Sequence, residues 1–92
     1  MMYIVISYDI IDDKRRSRLA KMLLNYGRRV QKSVFECLLE DRELLELKGK
    51  IPLIIDQRTD SVRFYQVCAR CVNAIEILGW GTVSEDEDII IV

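Results

Sequence analysis

Histidine is missing from the sequence altogether. Its absence removes the imidazole acid–base pair on which metal-free RNA cleavage usually relies. No glycine-rich phosphate loop, no G-x-S-x-G elbow and no aromatic signature of the RNA-recognition sheet is present. No apolar run approaches the roughly 20 residues that a spanning helix needs. The first apolar stretch has no basic segment before it and is followed by Asp9, Asp12 and Asp13, which is not the build of a signal peptide. The expectation is a cytoplasmic protein with no membrane partner. Cysteine is scarce: Cys37, Cys68 and Cys71. Cys68-x-x-Cys71 has metal or redox spacing, but no second pair and no histidine complete a tetrahedral zinc site. A thioredoxin-like site would want the pair to open a helix after a strand. The expectation is three reduced cysteines in or near the core.

What the chain does hold is enough for one domain. Half of its 92 residues are hydrophobic and 32% are charged, a globular composition. A domain this small builds one modest core and often gains further burial by oligomerising. Residues 1–80 read as that domain and 81–92 as a C-terminal tail. The net charge of −1 conceals an uneven distribution. Between Lys14 and Lys32 stand eight basic residues and no acid, whereas Glu36 to Glu46 holds five acids against Arg42 alone. The overall charge argues against nucleic acid; the local charge permits it.

Tyr3-Ile4-Val5-Ile6-Ser7-Tyr8-Asp9 reads as a strand over 2–9, apolar on both parities and so buried on both sides. Helices would cover one face and a second copy of the chain the other. Asp12 or Asp13 caps a helix start. Leu19, Met22, Leu23 and Tyr26 make its apolar stripe, with Gly27 as its C-cap. Arg15 and Arg16 flank the stripe at the same end as Asp9, with Arg18 nearer solvent. Residues 29–39 read as a second strand of mixed faces. A second helix opens at Asp41; Gly49 and Pro52 interrupt it, which predicts a kink, or an end near residue 48 with a short second piece. Strands follow at 61–68 and 74–78, a turn at Gly79-Trp80-Gly81, and a β-type segment at 89–92 that adds to a sheet, its own or a partner's. This order predicts an α+β domain of the ferredoxin-like β-α-β-β-α-β type, one antiparallel sheet with two helices on a single face and an extra C-terminal strand.

The inventory leaves one workable chemistry. A carboxylate at a strand end (Asp9), nearby arginines, and hydroxyls on Ser7, Tyr8 and Ser33 form a phosphodiester-hydrolysis set once Mg²⁺ joins them. One aspartate is thin ligation, and a two-fold dimer pairing the strand ends would bring two Asp9 side chains to one metal. The plain alternative for Asp9 is a solvated strand-end acid.

The segments Tyr8-Asp9-Ile10, Asp12-Asp13, Arg15-Arg16-Ser17-Arg18 and Gly27-Arg28-Arg29-Val30-Gln31-Lys32-Ser33-Val34-Phe35-Glu36-Cys37 resemble CRISPR-associated protein two, the small subunit of the CRISPR adaptation complex. Arg63-Phe64-Tyr65 and Ile75-Glu76-Ile77-Leu78-Gly79 extend the likeness over nearly the whole chain. The resemblance implies a ferredoxin-like homodimer with facing sheets, the C-terminal strand crossing to the partner subunit. It implies a Mg²⁺-dependent endonuclease, Mn²⁺ substituting, on single-stranded RNA or double-stranded DNA. Asp9 would then be the metal ligand, and Tyr8, Arg16, Arg18, Arg29, Ser33 and Phe35 the other site residues. Lys14, Arg15, Arg16, Arg18, Arg28 and Arg29 are the expected nucleic-acid contacts. Two other readings stay open. One is a non-catalytic scaffold joining spacer DNA to the adaptation integrase; the other is a toxin-type ribonuclease of the same fold.

Overall fold

Alternation along the first strand sets the layers. In β1 (Met2–Asp9), Ile4, Ile6 and Tyr8 point to one face and are buried; Val5, Ser7 and Asp9 share the other parity. The computed structural model describes residues 1–79. β1 pairs antiparallel with β3 (Val34–Leu39) on one side and β4 (Ser61–Val67) on the other, and β2 (Gly27–Gln31) extends the sheet to the order β2-β3-β1-β4. Helices α1 (Asp13–Leu23) and α2 (Asp41–Lys50) cover the same face. Leu19, Leu23 and Leu47 enter one core cluster with Ile4, Ile6, Tyr8, Phe35, Cys37 and Leu39. This is the expected ferredoxin-like arrangement. No helix among the described residues is long and apolar enough to cross a membrane.

The helix ends follow their local chemistry. Asp12 caps α1 by accepting from the Arg15 amide at 2.9 Å. The Glu40 amide donates to Glu43 Oε1 at 2.9 Å at the start of α2, as in a capping box. α2 runs to Lys50 and passes into a 3₁₀ turn, Ile51–Leu53, that holds Pro52. That is the short second piece the Gly49–Pro52 break predicts.

Four expectations are corrected. The strand expected over 29–39 is two strands, because Lys32 and Ser33 form a turn and Gln31 folds back to pair with Val34 across a bulge. Gly27 is not a helix C-cap: α1 closes at Leu24 in right-handed backbone, and Gly27 lies against β3, where a Cβ would stand 2.3 Å from the Glu36 carbonyl oxygen. Residues 74–78 form no strand; the Ala74 and Ile75 amides donate back to Cys71 and Val72 carbonyls at 3.0 and 3.1 Å. Cys37 is buried as expected, but Cys68 and Cys71 are exposed. They flank the start of a four-residue helix, α3 (Ala69–Val72), directly after β4. The turn at Trp80-Gly81, the acidic run and the 89–92 segment lie outside the described residues.

Candidate active site

The C-terminal end of β1, the start of α1 and the β2–β3 turn meet at one corner of the sheet. They enclose an open cleft of about 690 Å³ lined by Tyr8, Asp9, Ile10, Arg16, Arg29, Lys32 and Ser33. Five of the site residues expected from sequence, Tyr8, Asp9, Arg16, Arg29 and Ser33, therefore come together although 25 positions separate the first from the last.

The cleft is built around the Lys32 carbonyl. It accepts from the Tyr8 hydroxyl at 3.1 Å and from Arg29 Nη2 and Nε at 2.7 and 3.1 Å. The Tyr8 amide meanwhile donates to the Ser33 carbonyl at 3.0 Å. Strand β1 is thus pinned to the turn by backbone and side chain at one residue. Phe35 lies beneath, fully buried, with the Tyr8 ring 6.3 Å away and the Arg29 guanidinium 5.9 Å from its centroid. Tyr8 and Phe35 both belong to the helix-covered core of the chain. The stacked Arg29 is held as a flat cation at the rim.

Arg16 is oriented from two sides. Its Nη1 donates to the Ile10 carbonyl at 2.9 Å and its Nη2 pairs with Asp13. Asp13, three residues back on the helix, was overlooked as this partner although side chains at that spacing face each other. Lys32 and Ile10 were also overlooked as site residues. Their contribution is a backbone carbonyl, which side-chain chemistry does not announce.

Asp9 stands apart from this bonding. It is exposed at the strand end, and among the described residues its carboxylate takes part in no hydrogen bond or ion pair. Also among the described residues, no three His, Cys, Asp or Glu side chains gather closely enough to hold a metal ion. One chain therefore offers a cation the Asp9 carboxylate. That fits Mg²⁺, which is commonly held by one or two carboxylates and keeps several waters.

The remaining expected residues lie outside the cleft. Lys14 and Arg18 are exposed on α1 and make no ion pair among the described residues. Arg28 sits on β2 with Glu36 at 3.6 Å. Arg15 turns away from the cleft: its Nε and Nη2 donate to Asp60 at 2.8 and 3.4 Å. The hydrogen bond to Asp60 raises the Arg15 pKa above its ordinary value and, with the Asp56 amide, lowers that of Asp60. Burial pushes the Cys37 thiol up to about 11, helped by the neighbouring Glu36 carboxylate, so it is inert at neutral pH.

Comparison with known proteins gives this corner a context. Residues 1–75 match the family described as CRISPR associated protein Cas2. The CRISPR-associated endoribonuclease Cas2 1 of Chloroflexus aurantiacus is 46% identical over 99% of this chain and 100% of its own. The crystal structure of Streptococcus pyogenes Cas2 at pH 6.5 superposes with a TM-score of 0.75 at 38% identity, covering 86% of this chain and 100% of that one. A chain of a partial Cas6-RT-Cas1–Cas2 complex superposes with a TM-score of 0.75 at 32% identity, over 85% of this chain and 91% of its own.

Proposed function

The chain belongs to the Cas2 family of CRISPR-associated proteins, and from that premise we propose that it binds nucleic acid in CRISPR adaptation and hydrolyses phosphodiester bonds at Asp9. The observation that carries the reading is the contrast inside the cleft. The Tyr8 hydroxyl and the Arg16 and Arg29 guanidiniums are committed to the fold, whereas Asp9, the one acid lining the cleft, keeps its carboxylate free among the described residues, on a strand anchored in the core. Unfilled acceptors on a rigid support are what a hydrated cation requires.

The chain's own residues divide the work. Asp9 would hold Mg²⁺, or Mn²⁺ in its place, and the bound ion would supply Lewis acidity toward a phosphate oxygen and a water. Arg29, fixed over Phe35 and tied to the Lys32 carbonyl, presents guanidinium charge to the phosphodiester without first having to become ordered. Arg16 does the same from the helix side. Tyr8 keeps the turn closed on the strand, so that Asp9 and Arg29 hold their spacing. Ser33 lines the floor with a hydroxyl. Asp9 shares its parity with Val5 and Ser7, on the sheet face that neither helix covers. A homodimer packed through that face would bring a second Asp9 toward the first and complete the ligand set.

The test is cleavage of single-stranded RNA and duplex DNA with Mg²⁺, comparing wild type with Asp9→Ala and Asp9→Asn. Cation-dependent cleavage lost in both variants supports the reading, and cleavage retained in either removes Asp9 from it. A second reading, a non-catalytic scaffold for the adaptation integrase, is favoured by Lys14 and Arg18. Their exposed charge lies beyond the cleft, where it would grip phosphates without reading sequence. Duplex binding that survives Asp9→Ala, weakens in Lys14→Ala/Arg18→Ala and is never accompanied by cleavage selects it.

A further inference from the structure

Cys68 and Cys71 play no part in the corner described above, yet the fold places them together with care. β4 ends at Val67, and Cys68 keeps extended backbone (φ −70°, ψ 161°) as the N-cap of α3. The Val72 amide donates to the Cys68 carbonyl at 2.9 Å and closes the turn. That turn brings the two Sγ atoms to 3.3 Å. Both cysteines are exposed, whereas Cys37 is 1% exposed in the core. Disulfide sulfurs lie about 2.05 Å apart, so a small change of side-chain torsion separates this contact from a bond. Among the described residues no group of three metal-ligating side chains forms here or elsewhere.

We propose that Cys68 and Cys71 form a reversible dithiol–disulfide site that exchanges with low-molecular-weight disulfides, independently of phosphodiester chemistry. The two thiols are unequal. Cys68 is shifted down, chiefly by a hydrogen bond from the Cys71 backbone amide and then by the Cys71 thiol. Cys71 is shifted up by its hydrogen bond to Cys68. Cys68 is therefore the attacking thiolate. It displaces one half of the external disulfide as a thiolate, which takes a proton from water, and leaves a mixed disulfide on Cys68. Cys71 then gives its proton to solvent and attacks Cys68 Sγ, releasing the second half as a thiol. Two protein thiols are oxidised and one external disulfide is reduced to two thiols. The new bond cross-links the turn through which the chain leaves β4, an edge strand of the described sheet.

The experiment equilibrates the full chain in glutathione buffers of graded ratio, quenches with a maleimide under denaturing conditions and maps the labelled peptides. The expected result is a loss of two of the three labels on oxidation. A peptide linking residues 68 and 71 appears, Cys37 stays labelled, and the oxidised fraction follows a two-electron couple. Cys71→Ser should stop at a stable glutathione adduct on Cys68. Independent adducts on both cysteines of the wild type, a cross-link only between copies, or three labels retained in fully oxidised buffer would each overturn the proposal. Circular dichroism on each sample separates these outcomes from unfolding.

Discussion

Asp9 and Asp60 are neighbours with opposite fates. Asp9 pairs in register with Ser61, so Asp60 stands just before the start of the adjacent strand. Asp60 has no exposed side-chain surface. It accepts from Arg15, from the Asp56 amide at 2.8 Å and from the Thr59 hydroxyl at 3.3 Å. Asp9 is exposed and accepts from nothing described. A buried carboxylate survives only when its oxygens are filled, and once filled it has nothing left for a ligand. Two aspartates at the same end of one sheet are therefore a clamp and a binding group. Burial and partner count separate them where residue type does not.

Four measurements probe that division. The largest effect is expected from Asp9→Ala, which should lower cleavage roughly 100-fold or more while leaving the thermal midpoint nearly unchanged. A large fall in Tm would make Asp9 a second clamp. Asp60→Ala should do the reverse, lowering Tm by about 10 °C or more because Arg15 and the Asp56 amide lose their buried acceptor; calorimetry checks it. Tyr8→Phe removes one hydroxyl bond to the Lys32 carbonyl. It should cost about 1 kcal/mol, or roughly 5 °C, together with a several-fold loss of cleavage from a looser turn. The smallest effect is in pH. Asp60 titrates below its ordinary value of 3.8 because Arg15 and the Asp56 amide favour the charged form. A depressed carboxylate contributes its stability above the unfolded pKa and loses it as pH falls through the folded one. The Tm gap between wild type and Asp60→Asn should therefore be full at pH 6 and narrow below about pH 4. A gap that stays constant down to pH 2 would show that the carboxylate charge is not what holds Asp60 in place.

Asp9 was legible in the sequence because a charge interrupting an apolar run is visible without a structure. The same is true of α1, whose stripe buries Leu19 and Leu23 as the spacing predicts. The β3 pattern was less legible: it reads as mixed faces, whereas Phe35 and Cys37 are buried and Val34, Glu36 and Leu38 are less so. Asp60 was not legible, because its partner lies 45 positions away and nothing local marks it. The Lys32-Ser33 turn was missed because it carries no glycine, proline, asparagine or aspartate, and serine alone is a weaker turn signal. Ala74-Ile75-Glu76-Ile77-Leu78 misled in the other direction. Its alternation is strand-like, but its first amides are taken by the turn of α3, and Leu78 is almost wholly exposed.

The strand order carries a consequence for how the chain is made. The central strand is the first one synthesised, and its β3 partner is complete at Leu39, so the Tyr8–Lys32–Arg29 corner can form while the rest of the chain is still emerging. Its other flank waits for Tyr3 to meet Val67, the long loop closure that slows folding of such topologies. During that interval β1 shows an unpaired edge that a neighbouring nascent chain can join. Closure of β4 brings Asp60 to Arg15, so this ion pair acts as a latch that cannot engage before residue 60 has emerged. Slow synthesis past residue 39 would lengthen the exposed interval, and a chain arrested before Asp60 would carry the cleft without its lock.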